Sequence, residues 1–470
     1  MEKDLCDIEK NRQEEIEMIN KDILIIVPHQ DDETNLAGGL IWTLSRQNSI
    51  RIVYVTNGDY CTNFKTRRRE AVKACKKLGI KKEKIIFLGY PDTSYSSTNH
   101  MYTSRGDFLS KAGHSKTYGL RSAPEYCFAR HGVHREYRVE NLVLDLKELL
   151  LEYKPDLVIC VDLDFHPDHI MTSLCLEKAV GEILNAKGNQ YYPEIWKGFT
   201  YENSYMGPED FGEGNKKMQF DIDKSGRLRN NHYYRIDESI DFEIDKKCYS
   251  KWLMMNPVWK AINKHKSQLF VNFAFRVINA NNVFWRRETR NLIHEAKVSV
   301  SSSNKSYLYD FLLNDTSRVV GGDKTQILYD KGVWIPKDID KEKTIEIIFD
   351  GDEWVSVIKL YSGNNNQDFV KNVELSIDGK VEVVDVDCFV TNIKVNRKCH
   401  KILLRILDKK VKNGFSEIEI LGTQEDGAQR KEYSIAKDSV KFLFKVDKIW
   451  LRMKTLETKV IRKFLLRRKV

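Results

Sequence analysis

No apolar run in this 470-residue chain approaches the roughly 18 residues a membrane span needs, so no spanning helix is expected. The amino terminus, Met1-Glu2-Lys3-Asp4-Leu5, is acidic and lacks a signal-peptide core, which points to the cytosol. The nine cysteines are odd in number and scattered, with no Cys-x-x-Cys pair. They read as free thiols, several inside apolar patterns, in a reducing compartment. Excess charge is missing from most of the chain. Residues 437–470 hold twelve Lys/Arg against three Asp/Glu, while residues 1–436 hold 65 of each sign, so the net +9 belongs to the tail. A neutral body argues against broad nucleic-acid binding. With 41% apolar and 31% charged residues, the composition excludes disordered and collagen-like classes.

What is present is a strand that ends in acid and histidine. The apolar run Ile23 to Val27 passes through Pro28-His29-Gln30-Asp31-Asp32-Glu33 into a helical pattern beginning near Thr34. This reads as a buried parallel strand delivering its last residues to the carboxyl edge of a sheet, where open α/β sheets bind ligands. His29 and Asp32 are placed to converge on one metal ion, with Asp31 between them pointing elsewhere. The plainer reading of the acids is helix N-capping. A second unit repeats the arrangement: the strand Leu157 to Val161, the turn Asp162-Leu163-Asp164-Phe165-His166-Pro167-Asp168-His169, and the helical pattern Ile170 to Leu184. A catalytic zinc takes three protein ligands and keeps one open position. His169 would complete His29 and Asp32, leaving His166 to act on a substrate.

These two turns together resemble the PIG-L (LmbE-like) zinc-dependent de-N-acetylases, marked by a His-Pro-Asp-Asp-Glu turn after the first strand and a later His-x-Asp-His turn. The resemblance implies Zn2+ on His29, Asp32 and His169, and Asp31 as general base. It also implies that His166 assists the tetrahedral intermediate in protonated form, with Asp168 orienting it. It places an arginine against a sugar hydroxyl; Arg68 is assigned, although pattern does not separate it from Arg67 and Arg69. Asp92 is a further substrate-binding candidate, with a turn role as the alternative. Gln30 stands where proline is commoner, which bears on turn rigidity and not on ligation. The likeness runs from about Lys21 to about Leu292. The activity implied is removal of an N-acetyl group from an N-acetylglucosamine-type unit of a saccharide or glycolipid. The alternatives are an amidase on another N-acyl substrate and a non-catalytic glycan-binding protein.

Alternating strands and helices up to residue 293 predict a mostly parallel Rossmann-like sheet with helices on both faces. Residues 93–138 read as an insertion walling the substrate groove; its histidines, His100, His114, His131 and His134, receive no role. The basic run Lys65 to Lys84 reads as a solvated helix face, and Asp245 to Phe275 as helical, with His265 either in a segment similar to the family or a helix-surface histidine, and given no role. Residues 294–423 contain short strands separated by turn signals and resemble a galactose-binding-like (discoidin-type) jelly roll, an antiparallel β-sandwich. Residues 424–470 read as a linker and a basic amphipathic helix. Its stripe Phe442, Val446, Ile449, Met453, Leu456, Val460 and Phe464 suits an anionic membrane surface, a short coiled coil, or the protein's own body.

Overall fold

The computed structural model describes residues 18–94, 99–104, 108–164, 166–200, 217–218, 220–229, 231–268, 277–313, 332–363, 368–422 and 431–433. Ile23 to Val27 are all buried, as a strand covered on both faces requires. The chain order is β1 (Asp22–Val27), α1 (Asp32–Leu44), β2 (Ser49–Thr56), α2 (Phe64–Lys77), β3 (Ile85–Tyr90), α3 (Tyr126–His131), α4 (Val139–Tyr153), β4 (Leu157–Val161), α5 (Pro167–Leu184) and β5 (Glu194–Gly198). These five strands are parallel in the order β3-β2-β1-β4-β5. The chain leaves β1 toward β2 and later returns to its other side as β4. The carboxyl ends of β1 and β4 therefore flank a topological switch point, the crevice in which such sheets hold ligands. Pro167 opens α5, where its missing N–H costs nothing.

The sheet continues with strands that periodicity did not mark. After the hairpin β6 (Arg227–Leu228) and β7 (Asn231–Arg235) come β8 (Ile240–Glu243), α6 (Pro257–Ile262) and β9 (Asn281–Arg287). β9 pairs antiparallel with both β5 and β8. The single helix expected across residues 245–275 is not found. Asp245 caps a short 3-10 turn, and Asn256 accepts from the Trp259 N–H just before Pro257, so the helical stretch is cut to α6. Residues 269–276 lie outside the described part.

Next come β10 (Lys297–Val300), β11 (Thr344–Ser362), β12 (Asn372–Ile377), β13 (Lys380–Asp385), β14 (Val390–Ile406) and β15 (Phe415–Leu421), an antiparallel β-sandwich around Trp334, Ile347, Leu360, Ile402 and Phe415. Not every turn signal divides strands: Asp350-Gly351 lies inside β11, where it is spent on a register irregularity between Ile348 and Glu353. Part of the expected linker is also a strand, β16 (Lys431–Tyr433), which pairs parallel with β8. The amphipathic stretch 437–470 falls outside the described residues. No described helix is long and apolar enough to cross a membrane.

The sandwich meets the α/β layer through buried polar groups. Arg287 Nη1 lies 3.0 Å from Glu177 Oε1, Arg287 Nη2 donates to the Phe311 carbonyl at 3.0 Å, and the Phe311 N–H donates to Glu417 at 3.1 Å. Asn291 donates to the Ile418 carbonyl and accepts from the Ile420 N–H. Carboxylates outnumber cations here. Burial, with Glu177 adding to it, pushes Asp310 up to about 8, and burial with Asp310 drives Glu417 well above the usual range. A carboxyl raised in the folded state binds its proton more tightly there than in the unfolded chain, so its contribution to stability is lost as pH rises through the folded value. The melting temperature is expected to fall as pH rises from about 4, where the unfolded carboxyls ionise, to about 8. The double substitution Asp310→Asn/Glu417→Gln should flatten that slope, read by calorimetry across this range.

Candidate metal centre and catalytic site

The β1–α1 turn is pinned before it carries any chemistry. The Gln30 amide donates to the Thr56 carbonyl at 2.7 Å, and its oxygen accepts from Arg67 Nε at 3.4 Å. A Cβ at Gly58, which holds φ +65°, would overlap that oxygen. Gln30 thus supplies by hydrogen bonding the rigidity that proline would give by its ring. Asp31 is held at φ +150°, a conformation L-residues rarely adopt, and such strain clusters at functional sites.

Three side chains from the ends of β1 and β4 converge. His29 Nδ1 lies 3.1 Å from Asp32 Oδ2, His169 Nε2 lies 3.2 Å from the same oxygen, and the two ring nitrogens are 3.3 Å apart. Each ring is held from behind by a carboxylate. His169 Nδ1 is 2.7 Å from Asp164 Oδ2 and 3.0 Å from Thr200 Oγ1. His29 Nε2 is 3.0 Å from Asp168 Oδ2 and 3.2 Å from Asp92 Oδ1. Carboxylates of this kind fix the tautomer and leave the opposite nitrogen with its lone pair forward, as metal-ligating histidines have it. Asp32 Oδ1 is buried without a hydrogen-bond partner. Two nitrogens facing each other beside an unsatisfied carboxylate are a donor set that fits a divalent cation.

The electrostatics agree. Burial would raise the Asp32 carboxyl, but His169 and His29 overcome it and hold it well below the carboxylate range. Burial would lower both rings, but Asp164 and Asp32 carry His169 up to about 9, and Asp168, Asp32 and Asp92 carry His29 well above its ordinary value. The centre favours positive charge between its carboxylates. Two other groups also bring ligand atoms close together, His29 with His166 and His169, and His29 with Asp92 and Asp168. Asp168 is already saturated, however. Its two oxygens take the Thr93 N–H and hydroxyl, His100 Nε2 at 2.9 Å and His29. We assign it to holding His29 and not to ligation.

Asp31 lies beside this centre with its carboxyl pushed up to about 6, by burial first, opposed by the Arg67 guanidinium and reinforced by Asp32. Arg67 Nη2 donates to Asp31 Oδ1 at 3.3 Å. The arginine brought to the site is therefore Arg67. Arg68 instead packs its guanidinium 4.0 Å from the Phe87 ring centre. Asp92 is brought in, touching His29 and accepting from the Tyr60 N–H at 2.9 Å.

His166 is present, but not as expected. Its Nδ1 accepts from the Asp168 backbone N–H at 3.2 Å, while the Asp168 carboxylate stays 4.0 Å away. The Asp168 amide thus helps to orient the ring. Burial, with His29 and His169 nearby, pushes His166 down to about 2. His100 and Thr93 were missed because their partner Asp168 is 68 and 75 residues away. His265 is buried and sits 3.0 Å from Glu33, which sets aside the helix-surface reading.

The fold and this geometry place a candidate metal centre at the switch point of an α/β sheet. Residues 24–180 match the model of the PIG-L family, described as GlcNAc-PI de-N-acetylase. No curated protein matches the chain. Similar solved structures include the N,N'-diacetylchitobiose deacetylase from Pyrococcus horikoshii, at 18% identity and TM-score 0.35, covering 61% of this chain and 91% of that one. A conserved protein from Thermus thermophilus is similar at 15% identity and TM-score 0.33, covering 56% and 94%. The family 32 carbohydrate-binding module of Streptococcus pneumoniae EndoD is similar at 11% identity and TM-score 0.21, covering 28% and 99%.

Proposed function

We propose that the chain is a zinc-dependent hydrolase that removes the N-acetyl group from an N-acetylglucosamine-type unit of a saccharide or glycolipid. Residues 1–293 form the deacetylase domain, and residues 294–423 form a galactose-binding-like module. The observation that carries the reading is the convergence of His29, Asp32 and His169 within 3.3 Å, with both rings backed by carboxylates and Asp31 alongside. The description of the matching family supports the substrate class.

His29, Asp32 and His169 would hold the ion, which when bound supplies a Lewis acid that acidifies water and polarises the amide carbonyl. Asp31 takes the proton released as water attacks, since its raised value matches a base working near neutrality. Arg67 keeps that carboxylate in place. His166 presents an N–H to the oxygen that gains charge. Asp31 then returns its proton to the departing amine, leaving acetate and a free amino sugar. Asp92, which touches His29 and accepts from the Tyr60 N–H, is the candidate for contact with the substrate.

Metal analysis and an acetate-release assay on a panel of N-acetylated saccharides test the reading. About one zinc per chain and acetate release that stops on chelation are expected. Stoichiometric zinc with no acetate release from any saccharide, but release from other N-acyl compounds, would favour the amidase. Protein that binds glycans without zinc would be a lectin-like relative of the fold.

A further inference from the structure

Trp252, Met254 and Met255 are 52%, 58% and 59% exposed within four consecutive positions, while Leu253 between them is buried and anchors the segment. Exposed apolar side chains are ordinary when scattered singly, but a contiguous group marks an interaction surface. The charge within its own segment is of a single sign. Residues 246–268 contain six lysines and neither Asp nor Glu. α6 and the turn Lys266–Gln268 lie against α2, where Ser267 N and Oγ both donate to Glu70. α2 contains seven Lys/Arg and one acid, that same Glu70, which is buried. On its outer side Lys65, Arg69, Lys73, Lys76 and Lys77 are exposed. The segment that carries the apolar tip therefore packs, through α6 and Ser267, on the helix that carries these cations.

We propose that this surface docks on an anionic lipid bilayer, with Trp252, Met254 and Met255 entering the interfacial layer and the lysines of α2 and residues 246–266 meeting the head groups. Indole prefers the water–lipid boundary, and methionine side chains gain by leaving water. The lysines are drawn to the negative surface potential. A nucleic acid would satisfy the cations but give the two methionines nothing, whereas a bilayer uses both halves of the surface. The surface adjoins the catalytic layer through His265, which contacts Glu33 beside Asp32.

Vesicle sedimentation of the full chain tests this without any substrate, so it stands or falls apart from the deacetylase reading. The wild-type chain should sediment with phosphatidylcholine–phosphatidylserine vesicles and stay in solution with phosphatidylcholine alone. Trp252→Ser/Met254→Ser/Met255→Ser should lower the vesicle partition about tenfold or more. Lys73→Glu/Lys76→Glu/Lys77→Glu, confined to an exposed helix face and so without risk to the core, should lower it similarly. Undiminished binding by both variants would overturn the proposal, as it would place binding elsewhere, such as residues 437–470. It would equally be overturned if the wild-type chain ignored vesicles and bound a single-stranded oligonucleotide that only the lysine variant lost.

Discussion

Replacing His169 with alanine is expected to strip the protein of its metal and abolish turnover. The ring nitrogen lost is one of three donors within 3.3 Å, and two donors seldom retain a catalytic ion. The substitution also leaves Asp164 and Thr200 facing a cavity, so elemental analysis should be paired with circular dichroism to separate loss of ligand from loss of fold. Asp164→Asn provides a graded comparison. It keeps the ring but weakens the carboxylate behind it, and should cost about 10–100-fold in metal affinity, the scale for such backing groups. Full zinc occupancy in His169→Ala would refute the assignment of the centre.

Asp31→Asn is expected to behave in the opposite way, keeping zinc and losing about 100-fold or more in kcat. Asparagine is nearly isosteric, can still accept from Arg67, and cannot take a proton. Only the ionised carboxylate acts as the base, so activity in the parent enzyme is lost as pH falls through its value, which burial raises to about 6. A cation on His29, Asp32 and His169 would draw that value down, and the acid limb of kcat/KM should lie at or below about pH 6. Zinc loss in Asp31→Asn would make Asp31 a ligand and move the base role to Asp32.

The parts of this site that could be read from sequence were those made by adjacent residues. His29 and Asp32 share one turn, His166 and His169 share another, and each turn follows an apolar strand whose five-residue run is unmistakable. What could not be read depends on partners far along the chain. Arg67 and Arg68 look alike in a basic run, and only the packing of α2 on β3 decides that one reaches Asp31 and the other Phe87. The family resemblance has Asp168 serving His166. Thr93 and His100, brought in by the long insertion, claim its carboxylate instead. The strands β8 and β9 carry polar residues such as Asp241, Asn281 and Asn282 at buried positions, paired through Asn281 to Asp241, so their pattern does not announce a sheet. In the sandwich, bulges join what turn signals appeared to divide.

The pairing of β16 with β8 changes what kind of object the sandwich is. The chain enters it from β9 and, on leaving, returns to the same sheet two strands away. The sandwich is therefore an insertion, leashed at both ends, and not an appendage at the end of a tether. Its orientation about the catalytic layer is restricted twice over. β16 also acts as a selvedge: it occupies the open backbone edge of β8 along residues 240–242, which would otherwise invite strand addition from another molecule. A catalytic fragment trimmed at the sandwich boundary loses that border, and its first failing would be self-association along the exposed strand, with the chemistry of His29, Asp32 and His169 still in place.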